Sequence, residues 1–515
     1  RCAWPVGNYG ECLQGPASPV KLSLCTTRTW LPHRPCTPSP AGLASLKLEY
    51  DARKNPAIFD QLLAQTPEGL IALGKPILAE QQRLAQRLGP LAHLGTSSWS
   101  FPGWDGIVYR GEHSAQKLAR EGLELTRHYV APVCSPTRTG LMTGRCWSRF
   151  GVTTPQNQRA LPWDTVMLPR ALKQAGYDTA LCGKWHLGSR PEEGPNHFGF
   201  DHSYGSLAGG VGPWDHQYKK GPDQATWHRN EVLLDEKGHV TDLITAEACS
   251  WLEKRAPDRP FFLYAPFTAV HLPVKEPAEW LDRVPASITE PLHRHYAACV
   301  MHLDDSVGRI IAVLEKTGRR KDTVVVFTSD NGGSTAENNG QTYPPDDYPP
   351  GRLPGSNKPW RDEKGSVYEG GIRVPCIVSW PGKLAPGHHP HPVQITDWIP
   401  TFCALAGWQP QQALSWDGVN LWPQLTGQAD PAPRSIYTVG PSFRSRSLHA
   451  GRWKLVEQTK GKATAHELYD LETDPAERTN LAKQQPDKLA ELVGMLETAA
   501  GKDQKAPQKP RAVDK

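Results

Sequence analysis

Apolar and polar positions along this chain form short runs of two kinds. Pro260 to Phe267, Thr323 to Ser329 and Arg373 to Trp380 are mostly continuous apolar runs of strand length, and Asp178 to Cys182 is a shorter one. Runs without polar alternation predict strands buried on both faces. Between them, Leu243 to Lys254 and Leu292 to Thr317 repeat apolar residues at helical spacing, and Thr165 to Gly176 predicts an amphipathic helix closed by glycine. Ala115 to Gly122 predicts a short helix, and His128 to Val133 an extended segment leading to Cys134. Buried strands alternating with helices describe an α/β sandwich with a largely parallel central sheet. From about Gly387 the pattern becomes a helix over Thr396 to Ala406, strand-like runs at Ser435 to Val439 and Trp453 to Glu457, and a last helix over Pro486 to Ala499.

The ends of the chain look different. Residues 1–47 contain seven prolines, four cysteines and one acidic residue with no apolar period, a composition that cannot build a core. No stable fold is expected there. The chain starts with Arg1, and its first methionine is Met142, which suggests a fragment or a mis-joined frame. The first residues lack the basic start, apolar run and small-residue cleavage site of an export signal. From about Leu48 the composition turns globular, and residues 502–515 form a polar tail.

Composition narrows the function. The formal charge of +5 resides in the ends: residues 1–40 and 502–515 each carry +3, which leaves the middle near −1. No basic face for a nucleic-acid backbone is implied. No run approaches the ~18 apolar residues of a membrane span. The 11 cysteines include no C-x-x-C pair, and an odd count leaves at least one unpaired, which suits Cys134 as a modified residue.

The chemistry centres on Cys134 to Arg145, C-S-P-T-R-T-G-L-M-T-G-R. Proline two residues after the cysteine fits a first helical turn, so Cys134 is expected at a helix start, where free N–H groups and the helix dipole favour an anion. Arg138, one turn on, adds a planar cation suited to oxyanions. The predicted strands run out into further candidates: Lys184 and His186 in G-K-W-H-L-G, His271 in A-V-H-L-P, and Asp330 and Asn331 in S-D-N-G-G. Ligands in such sheets bind beyond the carboxyl ends of the strands. Lys364 precedes Y-E-G-G-I-R-V-P at Tyr368 to Pro375. Asp304 and Asp305 sit in a helical pattern and read as a solvated face.

From near Glu112 to about Ala500 the chain resembles the formylglycine-dependent (type I, arylsulfatase-like) sulfatases, whose signature is C-x-P-x-R followed by a T-G pair, here Thr143 and Gly144. The resemblance implies an alkaline-phosphatase-like α/β fold with a catalytic domain at 112–386 and a smaller C-terminal α+β subdomain at 387–501. It also implies that a formylglycine-generating enzyme oxidises Cys134, and that the hydrated aldehyde attacks the sulfur of a small-molecule or glycan sulfate ester. Arg138 and Lys184 would then hold the nucleophile. His186 would serve as base, His271 and Lys364 would bind sulfate and serve the leaving group, and Asp330 and Asn331 would ligate a divalent cation, calcium in most of the family.

Two features depart from that pattern. Leu94 to Tyr109, L-G-T-S-S-W-S-F-P-G-W-D-G-I-V-Y, resembles the start of an unrelated bacterial TIM-barrel-like family, so residues 48–111 are expected to be a barrel-like fragment. The family's opening strand, with its two adjacent aspartates, has no counterpart before Cys134. Leu91 to Ser97 with Asp105 is one candidate replacement. Without that pair the alternative to a sulfatase is a non-catalytic, anion-binding remnant, and phosphodiester or phosphonate hydrolysis on the same fold ranks below both. Trp214-Asp215-His216 and Trp227-His228-Arg229-Asn230 read either as pocket lining or as packing. The substrate and the compartment are left open.

Overall fold

The computed structural model describes residues 114–345 and 347–504, and ahead of them two strands, β1 (Leu22–Leu24) and β2 (Leu46–Leu48), paired antiparallel with Leu22 opposite Leu48. The expectations for 1–47 and 48–111, with Leu91 to Ser97 and Asp105, otherwise lie outside the described residues. The chain divides into two compact units, 1–88 and 89–515, and all remaining elements belong to the second.

Helix α1 (Ser114–Glu121) leads into β3 (Leu123–Leu125), β4 (His128–Tyr129) and helix α2 (Cys134–Thr143). Pro136 occupies the first turn of α2, where its missing N–H costs no bond. The helix stops at Gly144, whose φ of 69° suits a residue without Cβ and whose N–H reaches the Gly140 carbonyl at 2.9 Å. Helix α3 (Leu168–Gln174) packs on β5 (Asp178–Lys184), followed by β6 (His202–Ser206), β7 (Trp227–Arg229) and β8 (Val232–Leu233). Next come α4 (Val240–Glu253), β9 (Phe261–Tyr264), α5 (Ala278–Leu281), the 26-residue α6 (Pro291–Lys316) and β10 (Val325–Thr328). Glu290 caps α6 by accepting the His293 amide at 2.7 Å, with Pro291 at the first helical position.

Strands β5 to β9 form a sheet in the order β8-β7-β6-β5-β9, parallel across β6-β5-β9 and antiparallel beyond it. Asn230 and Glu231 alone join β7 to β8, and a two-residue connection returns antiparallel. After α7 (Glu369–Ile372) come β11 (Arg373–Val374), β12 (Cys376–Ser379), β13 (Gly387–His389) and β14 (Val393–Gln394). The second sheet runs β10-β12-β3-β13, antiparallel except for β3-β13, and a third joins β11-β4-β14. The sheets are thus mixed, and among the described residues the parallel pairings are β6-β5-β9 and the two edge pairs β3-β13 and β4-β14. The run from Arg373 to Trp380 is two strands because Pro375, lacking an N–H, interrupts it.

Helices pack against both faces, but among the described residues β9 and β10 are edge strands, so their residues are half-buried and not fully buried as their apolar runs predict. Phe261 and Leu263 of β9 and Val325 and Phe327 of β10 pack with α1, α4 and α6. Phe262, Tyr264, Val324 and Val326 turn the other way, into the largest core, which holds Trp147, Trp185 and Trp398. Asp304 is not on a solvated face: it is 6% exposed and accepts the Ser114 amide at 2.8 Å, because this side of α6 meets the start of α1. Asp305 is exposed.

The C-terminal part contains α8 (Trp398–Leu405), α9 (Trp422–Leu425), and an antiparallel sheet of β15 (Ser435–Val439), β16 (Ser445–Ala450), β17 (Trp453–Lys460) and β18 (Ala463–Asp470), with α10 (Pro486–Ala500) packed on β16 and β17. Composition places Asp503 in a polar tail, yet its carboxylate accepts from Ser148 Oγ at 2.5 Å, Arg149 Nη1 at 2.6 Å and Tyr437 Oη at 2.7 Å.

Candidate active site

Cys134 stands at the first residue of α2 and is 2% exposed. Its neighbours on the same turn fasten the helix to surrounding strand ends. Ser135 Oγ donates to the His186 carbonyl at 2.8 Å, and Thr137 Oγ1 donates to the Asp330 carbonyl at 2.6 Å. Arg138, 4% exposed, reaches the Lys184 carbonyl and the Tyr264 hydroxyl through Nη1 and Asp330 Oδ2 through Nη2 at 2.9 Å. The carboxyl ends of β5, β9 and β10 therefore converge on one guanidinium.

Electrostatics marks out the pocket. Burial pushes Lys184 down to about 8, while Cys134 favours its charge and Arg138 opposes it. Burial lowers His186 well below the usual range, with Lys184 and Arg138 acting in the same direction. His271 is lowered by burial, then by Lys364 and Lys184, and its Nδ1 is paired with the Leu272 carbonyl at 2.6 Å. For Asp330, burial acts upward, but Arg138, Lys184 and Lys364 outweigh it and hold the carboxyl well below the carboxylate range. The fields of Lys184 and Lys364 reach both histidines and Asp330, so these candidates border one site.

Backbone geometry explains the motifs. His186 adopts φ 61°, a left-handed conformation costly for a residue with Cβ, and both ring nitrogens lack hydrogen-bond partners in a buried setting. Gly332 donates to the Gly371 carbonyl at 2.9 Å, and a Cβ on Gly332 would fall 1.9 Å from the Gly370 carbonyl oxygen. The D-N-G-G and Y-E-G-G turns are thus pressed backbone to backbone, which carries Asp330 and Lys364 to the same end of the sheet. Lys364 is anchored there by its amide, 2.9 Å from the Gly333 carbonyl. Glu369 serves structure: its carboxylate accepts from Lys454 at 2.9 Å, His449 at 2.8 Å and Tyr129 at 3.1 Å, all buried.

Sequence reading missed several neighbours. Cys134 acts electrostatically on Lys219, Tyr218 and Tyr343, and the phenol of Tyr218 is pushed up to about 12, chiefly by burial. Gly209 and Gly210 let the loop after β6 approach closely, since added Cβ atoms would lie 2.3 Å from His186 Cε1 and 2.6 Å from Tyr343 Oη. A paired glycine after a strand was the available signal. Trp227 is packing: it is buried, stacked with His216 at 4.7 Å and bonded to Glu236. Trp214 is 43% exposed and donates to the Lys275 carbonyl.

Residues 98–408 match the sulfatase family. The chain belongs to that family. Residues 357–504 also match the C-terminal region of N-sulphoglucosamine sulphohydrolase. The chain is 34% identical over 366 residues to N-acetylgalactosamine-6-sulfatase of Mus musculus, covering 65% of this chain and 66% of that one. It is 29% identical over 397 residues to mouse arylsulfatase J, covering 71% and 63%. It thus spans slightly under two thirds of the length of these curated sulfatases. Among solved structures, Ps i-CgsB in complex with a neocarrahexaose superposes with a TM-score of 0.69 at 27% identity, over 81% of this chain and 92% of that one. The α/β, alkaline-phosphatase-like fold expected from the sequence is the fold these sulfatases share.

Family membership implies, in general terms, a formylglycine and a divalent metal. Of the described residues, Asp330 and Asn331 are the oxygen donors the motif offers, and Asp330 already bonds Arg138 through Oδ2. Two donors fall short of the six to eight oxygens calcium takes. The described residues therefore do not make a complete calcium site by themselves.

Proposed function

We propose that this sulfatase-family chain hydrolyses sulfate esters at the pocket around Cys134, with formylglycine made from that cysteine by a formylglycine-generating enzyme. The observation that carries the reading is the placement of Cys134 at a helix start inside a field of three cations, Arg138, Lys184 and Lys364, set against one carboxylate, Asp330. The surplus of positive charge suits an anionic ester.

A hydrated aldehyde at position 134 would supply a hydroxyl to attack sulfur and a second hydroxyl whose deprotonation expels sulfate. Arg138, fixed by three acceptors, orients that residue and offsets negative charge as it develops. Lys184, with its proton held loosely near neutral pH, stabilises the same charge. His186, kept neutral by burial, is the base for the deprotonation. His271 and Lys364 bind the sulfate oxygens and attend the leaving oxygen. Oxygen donors such as Asp330 and Asn331 suit a hard divalent cation, calcium by resemblance to the family, with further donors needed to complete its shell. The substrate class is a small-molecule or glycan sulfate.

The test is mass spectrometry of the Cys134 peptide after co-expression with a formylglycine-generating enzyme, followed by turnover of an aryl sulfate and an aryl phosphodiester. Conversion of the thiol removes about 18 Da at the nucleophile position. The expected result is that loss, with turnover of the sulfate only. An unmodified thiol beside a converted control peptide overturns the reading.

A further inference from the structure

A second group of metal-type side chains lies where α4, α6 and the segment after His271 meet. His239 precedes α4, Asp242 lies in its first turn, His302 projects from α6 and Glu276 from the intervening segment. Ligand atoms of His239, Asp242 and His302 all lie within 4.8 Å of one another. His302 is fully buried and His239 is 4% exposed, and the Nε2 atom of each faces a carboxylate oxygen, Asp242 Oδ1 for His302 and Glu276 Oε1 for His239. Two imidazoles and two carboxylates converging at one spot must share either protons or a cation, and imidazole with carboxylate is a donor set that divalent metals take.

The spacing suits a metal. His302 Nε2 is 3.2 Å from Asp242 Oδ1, and His239 lies within 4.8 Å of both. Donors at ~2.0–2.1 Å from a tetrahedral zinc stand about 3.3–3.4 Å apart. Glu276 Oε2 holds His302 Nδ1 at 2.8 Å, the carboxylate–histidine arrangement that fixes an imidazole ligand from behind. Trp280 stacks on His302 at 4.6 Å and Trp214 meets His239 edge-on at 5.1 Å, which limits both rings. The Asp242 side chain is 42% exposed and leaves an entry from solvent. A small pocket lined by His239, Glu276, Cys299 and His271 adjoins the group.

We propose that His239, Asp242 and His302 form a binding site for a zinc-class divalent cation, with Glu276 positioning His302 and water completing the shell. The metal replaces the proton between His302 and Asp242. His239 presents Nε2 once its proton moves to the other ring nitrogen, where the Thr241 amide now makes a long 3.3 Å contact and the Lys275 carbonyl is within hydrogen-bonding reach of the ring. Arg309, 3.3 Å from Asp242 and half-exposed, is free to swing toward solvent. Such a metal would join α4 to α6 and brace the segment that carries His271. It is separate from the oxygen-only pair Asp330 and Asn331, and it does not depend on the sulfatase reading.

The experiment is metal titration of the full chain with zinc chloride, read as zinc per chain after dialysis, and with cobalt(II), read as visible absorption. The variants are Asp242→Asn, His302→Gln and, as control, Asp330→Asn. The proposal expects one zinc per chain and strong tetrahedral cobalt bands in the parent and in D330N, and binding weaker in D242N and H302Q by more than the ~10–100-fold typical of losing an outer-shell partner. No zinc uptake by the parent overturns it. So do thiolate-to-cobalt charge-transfer bands, which would assign the metal to cysteines, and unchanged zinc content in D242N. If H302Q does not fold, the parent and the partly exposed Asp242 still decide.

Discussion

Arg138 Nη2 donates to Asp330 Oδ2 at 2.9 Å, and the same guanidinium holds the Lys184 carbonyl and the Tyr264 hydroxyl. One side chain thus joins the helix that begins at Cys134 to the ends of three strands. Arg138→Met is expected to lower kcat for a sulfate ester by about 10²–10³-fold, the scale for losing one preorganised donor. It also leaves Asp330 without its main partner, so urea denaturation should show lost stability. Arg138→Met combined with Asp330→Asn should recover stability but not turnover. Recovery of turnover in the double variant would remove Arg138 from the chemistry.

Lys184 sets an alkaline limit. Burial lowers its ammonium to about 8, so the charged form is populated below that pH and is lost above it. Activity that needs the charge should fall as pH rises through about 8. Lys184→Arg keeps its charge throughout and should erase that limb while lowering kcat. A pH profile of kcat/KM whose alkaline limb is the same in parent and variant would assign it to another group.

Gly209 tests the support of His186. A Cβ there would sit 2.3 Å from His186 Cε1, and His186 is already held at positive φ. Gly209→Ala should displace the ring and lower kcat by about 10²-fold, with little change in melting temperature. Parent-like kcat would show that His186 needs no fixed position.

The stability of the C-terminal sheet should hinge on Lys454. It is fully buried between Glu369 at 2.9 Å and Glu477 at 2.7 Å. Lys454→Met removes the cation that the two buried carboxylates share, leaving Glu369 with His449, Tyr129 and Arg373, and should destabilise the fold by about 3–5 kcal/mol in urea unfolding. Adding Glu477→Gln should return part of that loss, because one of the two charges is gone. Additive losses in the double variant would argue against this coupling.

What the sequence showed and what it hid follow from the range of the signals. The apolar run Asp178–Cys182, the Pro291 and Pro486 helix starts and the cysteine motif are local, and each appears within a few residues of its expected place. β16, S-R-S-L-H-A, was missed because its polar residues are buried by neighbours rather than by its own pattern: Ser447 and His449 lie inside. Asp304 was misread because α1, distant in sequence, supplies its partner. Lys219 and Tyr343 border the pocket through loop packing alone, without a local motif.

Asp503 pins Ser148 and Arg149, in the segment after α2, across sequence separations of 355 and 354 residues. Asp503 is made 355 residues after Ser148, so the clasp cannot close until that length of chain exists. While that length is being made, the segment after Cys134 is untethered at this point, and it is fixed only when Asp503 docks beside Ser148 and Arg149.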